Sequence, residues 1–155
     1  MRSRKSISMK NKVLIDTSFL LPALGIDVEE EVLEAISLFR RVEIYYLEIG
    51  LLEAVWKILK IVPNNKFDRV KIGIEAIRNT YNIMLSPPEA YIEAVKIYRM
   101  GHNDFIDALH YATAMINDIP WLTIDYSFID FLLHNGFRVE GVVITPKEFK
   151  EIIKQ

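Results

Sequence analysis

The amino-acid sequence predicts an α/β fold, with a mostly parallel central sheet flanked by helices on both faces as three layers, α/β/α. Short apolar runs, Val13-Leu14-Ile15 and Trp121 to Ile124 among them, alternate with longer stretches of helical character. Strands that carry no polar alternation are buried on both faces, as in parallel sheets. The chain also shows no internal repeat, low-complexity tract or linker, and its 155 residues with 51% hydrophobic content suffice for one domain with one core.

Residues 12–16 form the first strand. A short helix over 18–24 stops near Gly25, and a second spans about 28–41, opened by Asp27 and the acids Glu29, Glu30 and Glu31. Ile44 to Leu47 is the second strand. Helices follow over about 50–62 and 65–80, parted by Pro63-Asn64-Asn65. Asn82 to Leu85 is a short strand, and a helix then runs from Pro88 to about Arg99. Gly101-His102-Asn103 separates it from a helix over 104–117, a strand over 121–124 and a helix over 127–134. Asn135-Gly136 turns the chain toward a last strand at 142–144, after which Thr145 caps a terminal helix with Pro146 in its first position.

Composition excludes several classes. Without cysteine there is no disulfide, no Cys-based zinc site and no Cys nucleophile. The greasiest stretch, Ile44 to Val62, is interrupted by Glu48, Glu53, Lys57 and Lys60, so no membrane span is expected. No apolar leader core follows the basic start, which makes the cytoplasm the expected location. The net charge of −2 is uneven: residues 1–12 hold Arg2, Arg4, Lys5, Lys10 and Lys12 and no acid. They read as a disordered basic extension, with Met9 as an alternative start, ahead of a single domain over 13–155. A second basic zone, Lys57, Lys60, Lys66, Arg69, Lys71 and Arg78, reads either as a phosphate-binding surface or as a solvated helical face.

Four acids carry the chemistry: Asp16 in VLIDTSFLL, Glu53 in LLEAVWKIL, Asp107 in NDFIDALHYATA and Asp125 in WLTIDYSF. Each falls where a strand hands over to a helix or within a helix's opening turns. Ligands of open α/β sheets bind off the carboxyl ends of the strands. Carboxylates gathered there repel one another by roughly 4 kcal/mol per close pair at an effective dielectric near 20. Divalent metal neutralises such a cluster, which points to metal-dependent chemistry on phosphate.

Each acid also has a plainer reading. Asp16 and Asp125 suit helix N-caps. Glu53 has Lys57 four residues on, the spacing of a surface ion pair. Asp104 and Asp107 complement a helix dipole whatever the function. Ser18 and Thr123, each two residues from an aspartate, orient a carboxylate or serve as ordinary turn and strand residues. His102 and His110 are candidate ligands or bases, with packing as the commoner use. Tyr111, Tyr126 and Trp121 suit base stacking or the core.

Taken in order, strand-Asp, helix-Glu, helix-Asp and strand-Asp, these segments resemble the PIN-domain family, in particular the prokaryotic toxins of toxin–antitoxin pairs. IDTSFLL, LLEAVWKIL, FIDALHYATA and LTIDYSF span residues 13 to about 128 in the family's order. The resemblance implies an acidic site of Asp16, Glu53, Asp107 and Asp125, with Ser18 and Thr123 as supporting hydroxyls. Asp104 competes with Asp107 for the third place, and Glu48 with Glu53 for the second. The family's fourth motif often has an acid just before its Phe, where this chain has Ser127. Implied too are Mg²⁺- or Mn²⁺-dependent cleavage of single-stranded or loop RNA, a homodimer, and inhibition by a small antitoxin. A haloacid-dehalogenase-like phosphatase needs a second Asp where Ser18 stands, and a response-regulator receiver needs an acidic pair ending strand one. The rival from another class is a PIN-like module that binds RNA or a partner without cutting.

Overall fold

A computed structural model describes residues 12–154 of the chain. The sequence reading of residues 1–12 as an extension thus falls, Lys12 excepted, outside the described residues, and Lys12 opens the first strand. Five strands form one sheet: β1 (Lys12–Ile15), β2 (Glu43–Leu47), β3 (Asn82–Met84), β4 (Trp121–Leu122) and β5 (Val143–Ile144). Every pairing is parallel, in the order β3-β2-β1-β4-β5. Leu14 stands opposite Trp121, and Ile15 opposite Leu122.

Seven α-helices cover the described sheet: α1 (Glu30–Ile36), α2 (Glu48–Ile58), α3 (Phe67–Thr80), α4 (Pro88–Arg99), α5 (Phe105–Asn117), α6 (Tyr126–His134) and α7 (Pro146–Lys154). Alternate side chains of a strand point to opposite faces, and the core divides accordingly. Val13, Ile15, Ile44 and Tyr46 pack with Val32 of α1, Leu51 and Ile58 of α2, Ile77 of α3 and Phe149 of α7. Leu14, Trp121 and Val143 pack on the other side with Ala94 and Ile97 of α4, Ala108 and Ala112 of α5, and Phe128 and Leu132 of α6. The fold is therefore the three-layer α/β/α, PIN-like arrangement expected from the strand pattern.

Several boundaries differ from the sequence expectation, each for a local reason. The helix expected over 18–24 is two 3-10 turns, Thr17–Phe19 and Pro22–Leu24, because Pro22 lacks the N–H that would continue one helix and Gly25, at φ 90°, ends the second turn. The helix expected over 28–41 ends as α1 at Ile36, and a 3-10 turn over Phe39–Arg41 leads into β2. Helix α2 starts at Glu48 without a break from β2 and stops at Ile58. Strand β4 is only two residues long, because Thr123 and Ile124 already turn toward α6. At α7 the expected cap is a reciprocal pair. The Glu148 N–H donates to Thr145 Oγ1 at 3.3 Å, and the Thr145 N–H donates to Glu148 Oε1 at 3.0 Å.

Candidate functional site

From the centre of the sheet the chain leaves in opposite directions: β1 leads toward β2 and β3, whereas β4, on its other side, leads to β5. Such a reversal opens a crevice outside the carboxyl ends of the strands. A polar cavity of about 200 Å³ lies here, lined by Asp16, Thr17, Ser18, Glu53, Lys57, Asp104, Asp107, Ile124 and Asp125. All four principal acids expected from the sequence reach it, together with Asp104 and Ser18. Thr123 is buried just behind.

Caps aim three of these acids. Asp16 follows β1 directly and accepts the Thr17 N–H on Oδ1 at 2.8 Å. Its Oδ2 accepts the Thr123 hydroxyl at 2.7 Å, which ties β4 to β1. Thr123 Oγ1 in turn accepts the Asp125 N–H at 3.0 Å. Asp125 caps α6: its Oδ1 accepts the Phe128 N–H at 3.0 Å and the Ser127 hydroxyl at 2.9 Å. Asp104 caps α5 through the N–H groups of Ile106 and Asp107, at 2.9 and 3.2 Å. The plain reading of these residues as caps therefore holds, and it does not compete with the cavity reading, because the caps are what point the carboxylates inward.

Glu53 and Asp107 come from within helices. Glu53 Oε1 accepts the Thr17 hydroxyl at 2.6 Å. Thr17 is the residue that sequence reasoning passed over in favour of Ser18; its signal was its place beside a capping aspartate in the turn that closes β1. Among the described residues Lys57 makes no ion pair, so the plainer reading of Glu53 as its surface partner is not met. Glu48 lies outside the cavity and is bound to Arg78, Oε2 to Nη2 at 2.6 Å. Asp107 is buried beside α6, and its Oδ2 has no hydrogen-bond partner. His102 Nε2 stands 3.5 Å from that oxygen, too far for a hydrogen bond, and is likewise unpartnered.

Burial above all, then a hydrogen bond shared with Asp125 and the negative charges of Asp16, Asp104 and Asp125, push the Asp107 carboxyl up to about 10. Asp125 shifts the other way. Burial raises it, but the hydrogen bond with Asp107, the Phe128 N–H, the Ser127 hydroxyl and His102 together bring it below the usual carboxylate range. Of two neighbouring carboxyls pushed in opposite directions, the one with the raised value favours the neutral form, and here that is Asp107. Burial lowers His102, against the pull of Asp104 and Asp125. A neutral imidazole facing a protonated carboxyl is no ion pair.

The second candidate histidine does not reach the cavity. His110 is fully buried and stacked on Trp121, ring centres 5.6 Å apart. Trp121 and Tyr111 are core residues, while Tyr126 is half-exposed and donates its hydroxyl to Glu31 at 2.6 Å.

The donor set suits a hard divalent cation: the acceptors lining the cavity are carboxylate and hydroxyl oxygens, and one of them, Asp107 Oδ2, is orphaned. Among the described residues no three acidic or histidine side chains yet converge as a ligand set. Glu53 is tethered to Thr17, and the Asp107 carboxyl is pushed toward its neutral form.

Comparison with known families matches residues 13–131 to the PIN domain. The chain belongs to the PIN-domain family. PIN domains are generally nucleases and typically use divalent metals, in keeping with the carboxylate-rich cavity. No curated protein matches the chain in sequence. Its fold is similar to that of a toxin–antitoxin complex from Klebsiella pneumoniae, at 19% identity and a TM-score of 0.61 over 86% of this chain and 97% of the other. It is also similar to PAE2754 from Pyrobaculum aerophilum, at 17% identity and a TM-score of 0.61 over 95% and 98% of the two chains. A third similar structure is FitAB bound to IR36 DNA fragment, at 16% identity and a TM-score of 0.62 over 86% and 94%. At these identities the likeness is one of fold. Among the described residues no helix is long and apolar enough to cross a membrane.

Proposed function

We propose that this PIN domain is a metal-dependent endoribonuclease and the toxin of a toxin–antitoxin pair. The observation that carries the reading is the gathering of Asp16, Glu53, Asp104, Asp107 and Asp125 around one polar cavity at the sheet's reversal point. Asp16, Glu53, Asp107 and Asp125 would hold Mg²⁺ or Mn²⁺, with Asp104 behind them. Bound there, the metal supplies an activated water and charge stabilisation at the scissile phosphate.

The chain's own residues do the rest. Thr123 fixes the Asp16 carboxylate against β1, and Ser127 and the Phe128 N–H fix Asp125 at one oxygen. Asp107, pushed toward its neutral form here, would ionise to join that set. Lys57, the cavity's cationic residue, is free to meet a phosphate oxygen. Lys60 and Lys66, in the connection between α2 and α3, and Lys71 of α3 extend the exposed positive charge, where an RNA backbone is attracted. Exposed Leu52, Trp56 and Leu59 on α2, and Tyr91, Ile92 and Tyr98 on α4, favour further protein contacts, which we assign to a small antitoxin and a second copy of the chain.

The test is cleavage of a pool of single-stranded and hairpin RNA by purified protein with Mg²⁺, Mn²⁺ or chelator. Cutting that requires metal and is lost in Asp16→Asn and Glu53→Gln is expected. Equal cutting in chelator would sink the metal mechanism. No cutting under any condition, with any partner stripped off, would leave a module that binds without cleaving. Light scattering at micromolar concentration checks the dimer.

A further inference from the structure

We propose that Thr17 is a positioning residue for the metal site: its hydroxyl holds Glu53 of α2 at the cavity, beside Asp16 at the end of β1. The inference rests on the metal-site reading above and deepens it.

Thr17 stands between two of the acids and donates to both. Its N–H goes to Asp16 Oδ1 at 2.8 Å, and its hydroxyl goes to Glu53 Oε1 at 2.6 Å. The first partner is its chain neighbour and the second lies 36 residues on, so one residue ties a strand exit to a later helix. Thr17 itself has little freedom. It is buried and opens the 3-10 turn that Asp16 caps, and a β-branched side chain is stiff at χ1. Helix α2 comes this close because Gly50 presents no side chain. A Cβ there would stand 3.1 Å from His110 Nε2, tighter than ordinary contact, and 3.5 Å from Thr17 Oγ1.

Glu53, by contrast, is a long and flexible side chain, and Lys57 does not pair with it among the described residues. A freely turning glutamate loses that freedom when it ligates, and holding it beforehand removes the cost. The tie does not use up the carboxylate. It takes one lone pair of Oε1 and leaves Oε2 and further lone pairs for a cation. Ligating carboxylates are hydrogen-bonded in this way, and such partners set the ligand's orientation. The acids do not converge as a ligand set among the described residues. Each one already held at the cavity therefore shortens the rearrangement that binding demands.

The experiment is calorimetric Mg²⁺ titration of the full chain carrying Thr17→Val, Thr17→Ala or Thr17→Ser, with the folding of each variant checked by thermal melts in chelator. Valine keeps the shape and the N–H on Asp16 and loses only the hydroxyl. Serine keeps the hydroxyl and loses the methyl. Thr17→Val and Thr17→Ala should each weaken Mg²⁺ binding roughly 10- to 100-fold, the range for residues that orient ligands. Thr17→Ser should retain most of the wild-type affinity. A role in packing alone predicts the reverse order, with serine the damaging change and valine the mild one. Mg²⁺ binding by Thr17→Val as tight as in the wild type, or tighter, would mean that the tie is idle or keeps Glu53 from the cation. That result, or a loss in Thr17→Ser as large as in Thr17→Val, overturns the proposal and leaves the metal site standing. Absence of any Mg²⁺ binding by the wild type overturns both.

Discussion

The two sides of the acidic cavity manage their charge differently. On the β1–α2 side, Asp16 and Glu53 are held by hydroxyls, Thr123 and Thr17, with hydrogen bonds of 2.7 and 2.6 Å. On the α5–α6 side, burial and the neighbouring carboxyls push Asp107 toward its neutral form while Asp125 is held below the usual range, and Asp107 is the more deeply buried of the two. A hydroxyl stabilises a carboxylate and leaves its charge in place. A carboxyl in its neutral form removes one charge from the site. On the proposed metal-site reading, the first side would offer charged ligands at once and the second only after losing a proton.

The largest expected effect tests the proton. Folded Asp107 keeps its proton up to about pH 10, whereas an unfolded aspartate loses it near 3.8. The folded state therefore binds the extra proton between these limits. Its stabilising contribution is full below the lower value and is lost as pH rises toward the upper one. Urea unfolding of the metal-free protein should show stability falling by about 1.4 kcal/mol per pH unit more steeply than in Asp107→Asn across the neutral range. Because metal must displace that proton, Mg²⁺ affinity should rise about tenfold per pH unit over the same range. Equal slopes for wild type and variant would mean that the α5–α6 side is ionised after all.

Next in size is Asp16→Asn. Asparagine caps as well as aspartate, and with Asp107 already neutral there is less crowding to relieve. Metal-free stability should therefore stay within about 1 kcal/mol of wild type. What should disappear is the gain on adding metal, about 2.7 kcal/mol at a hundredfold excess over Kd in the wild type. Thermal melts with chelator and with Mn²⁺ measure both quantities. A full metal gain in the variant would reduce Asp16 to a cap.

Thr123→Val should lose the bond to Asp16 and leave the Asp125 N–H without its acceptor, a cost of about 1–3 kcal/mol. Metal affinity should drop by roughly 10- to 100-fold, as for other residues that orient ligands. The smallest effect is expected for Lys57→Gln: stability within about 0.5 kcal/mol of wild type, with RNA binding weaker and its salt dependence shallower. An unchanged salt slope would place the phosphate elsewhere.

Much of this molecule was legible in its residues. The unalternating runs around Leu14 and Trp121 announced strands buried on both sides, and Pro63-Asn64-Asn65, Asn135-Gly136 and Thr145-Pro146 marked joints. The residues lining the cavity were legible for a similar local reason: Asp16 and Asp125 cap turns at strand exits and Asp104 caps α5, so their places in sequence already aim them. Choices between neighbours were not legible. That Glu53 lines the cavity while Glu48 is drawn to Arg78 depends on how α2 crosses the end of β1 and where α3 returns, contacts about 30 residues apart in the chain. Thr17, rather than Ser18, bonds to Glu53 because the 3-10 turn after β1 presents its hydroxyl to α2. The proton on Asp107 is likewise a tertiary fact, since it needs burial and three other carboxyls brought together from distant segments. Residue type and spacing determined which groups were available and which way each strand end faced. Only the packing of α2, α5 and α6 over the sheet decided their distances, and with distance and burial their charges.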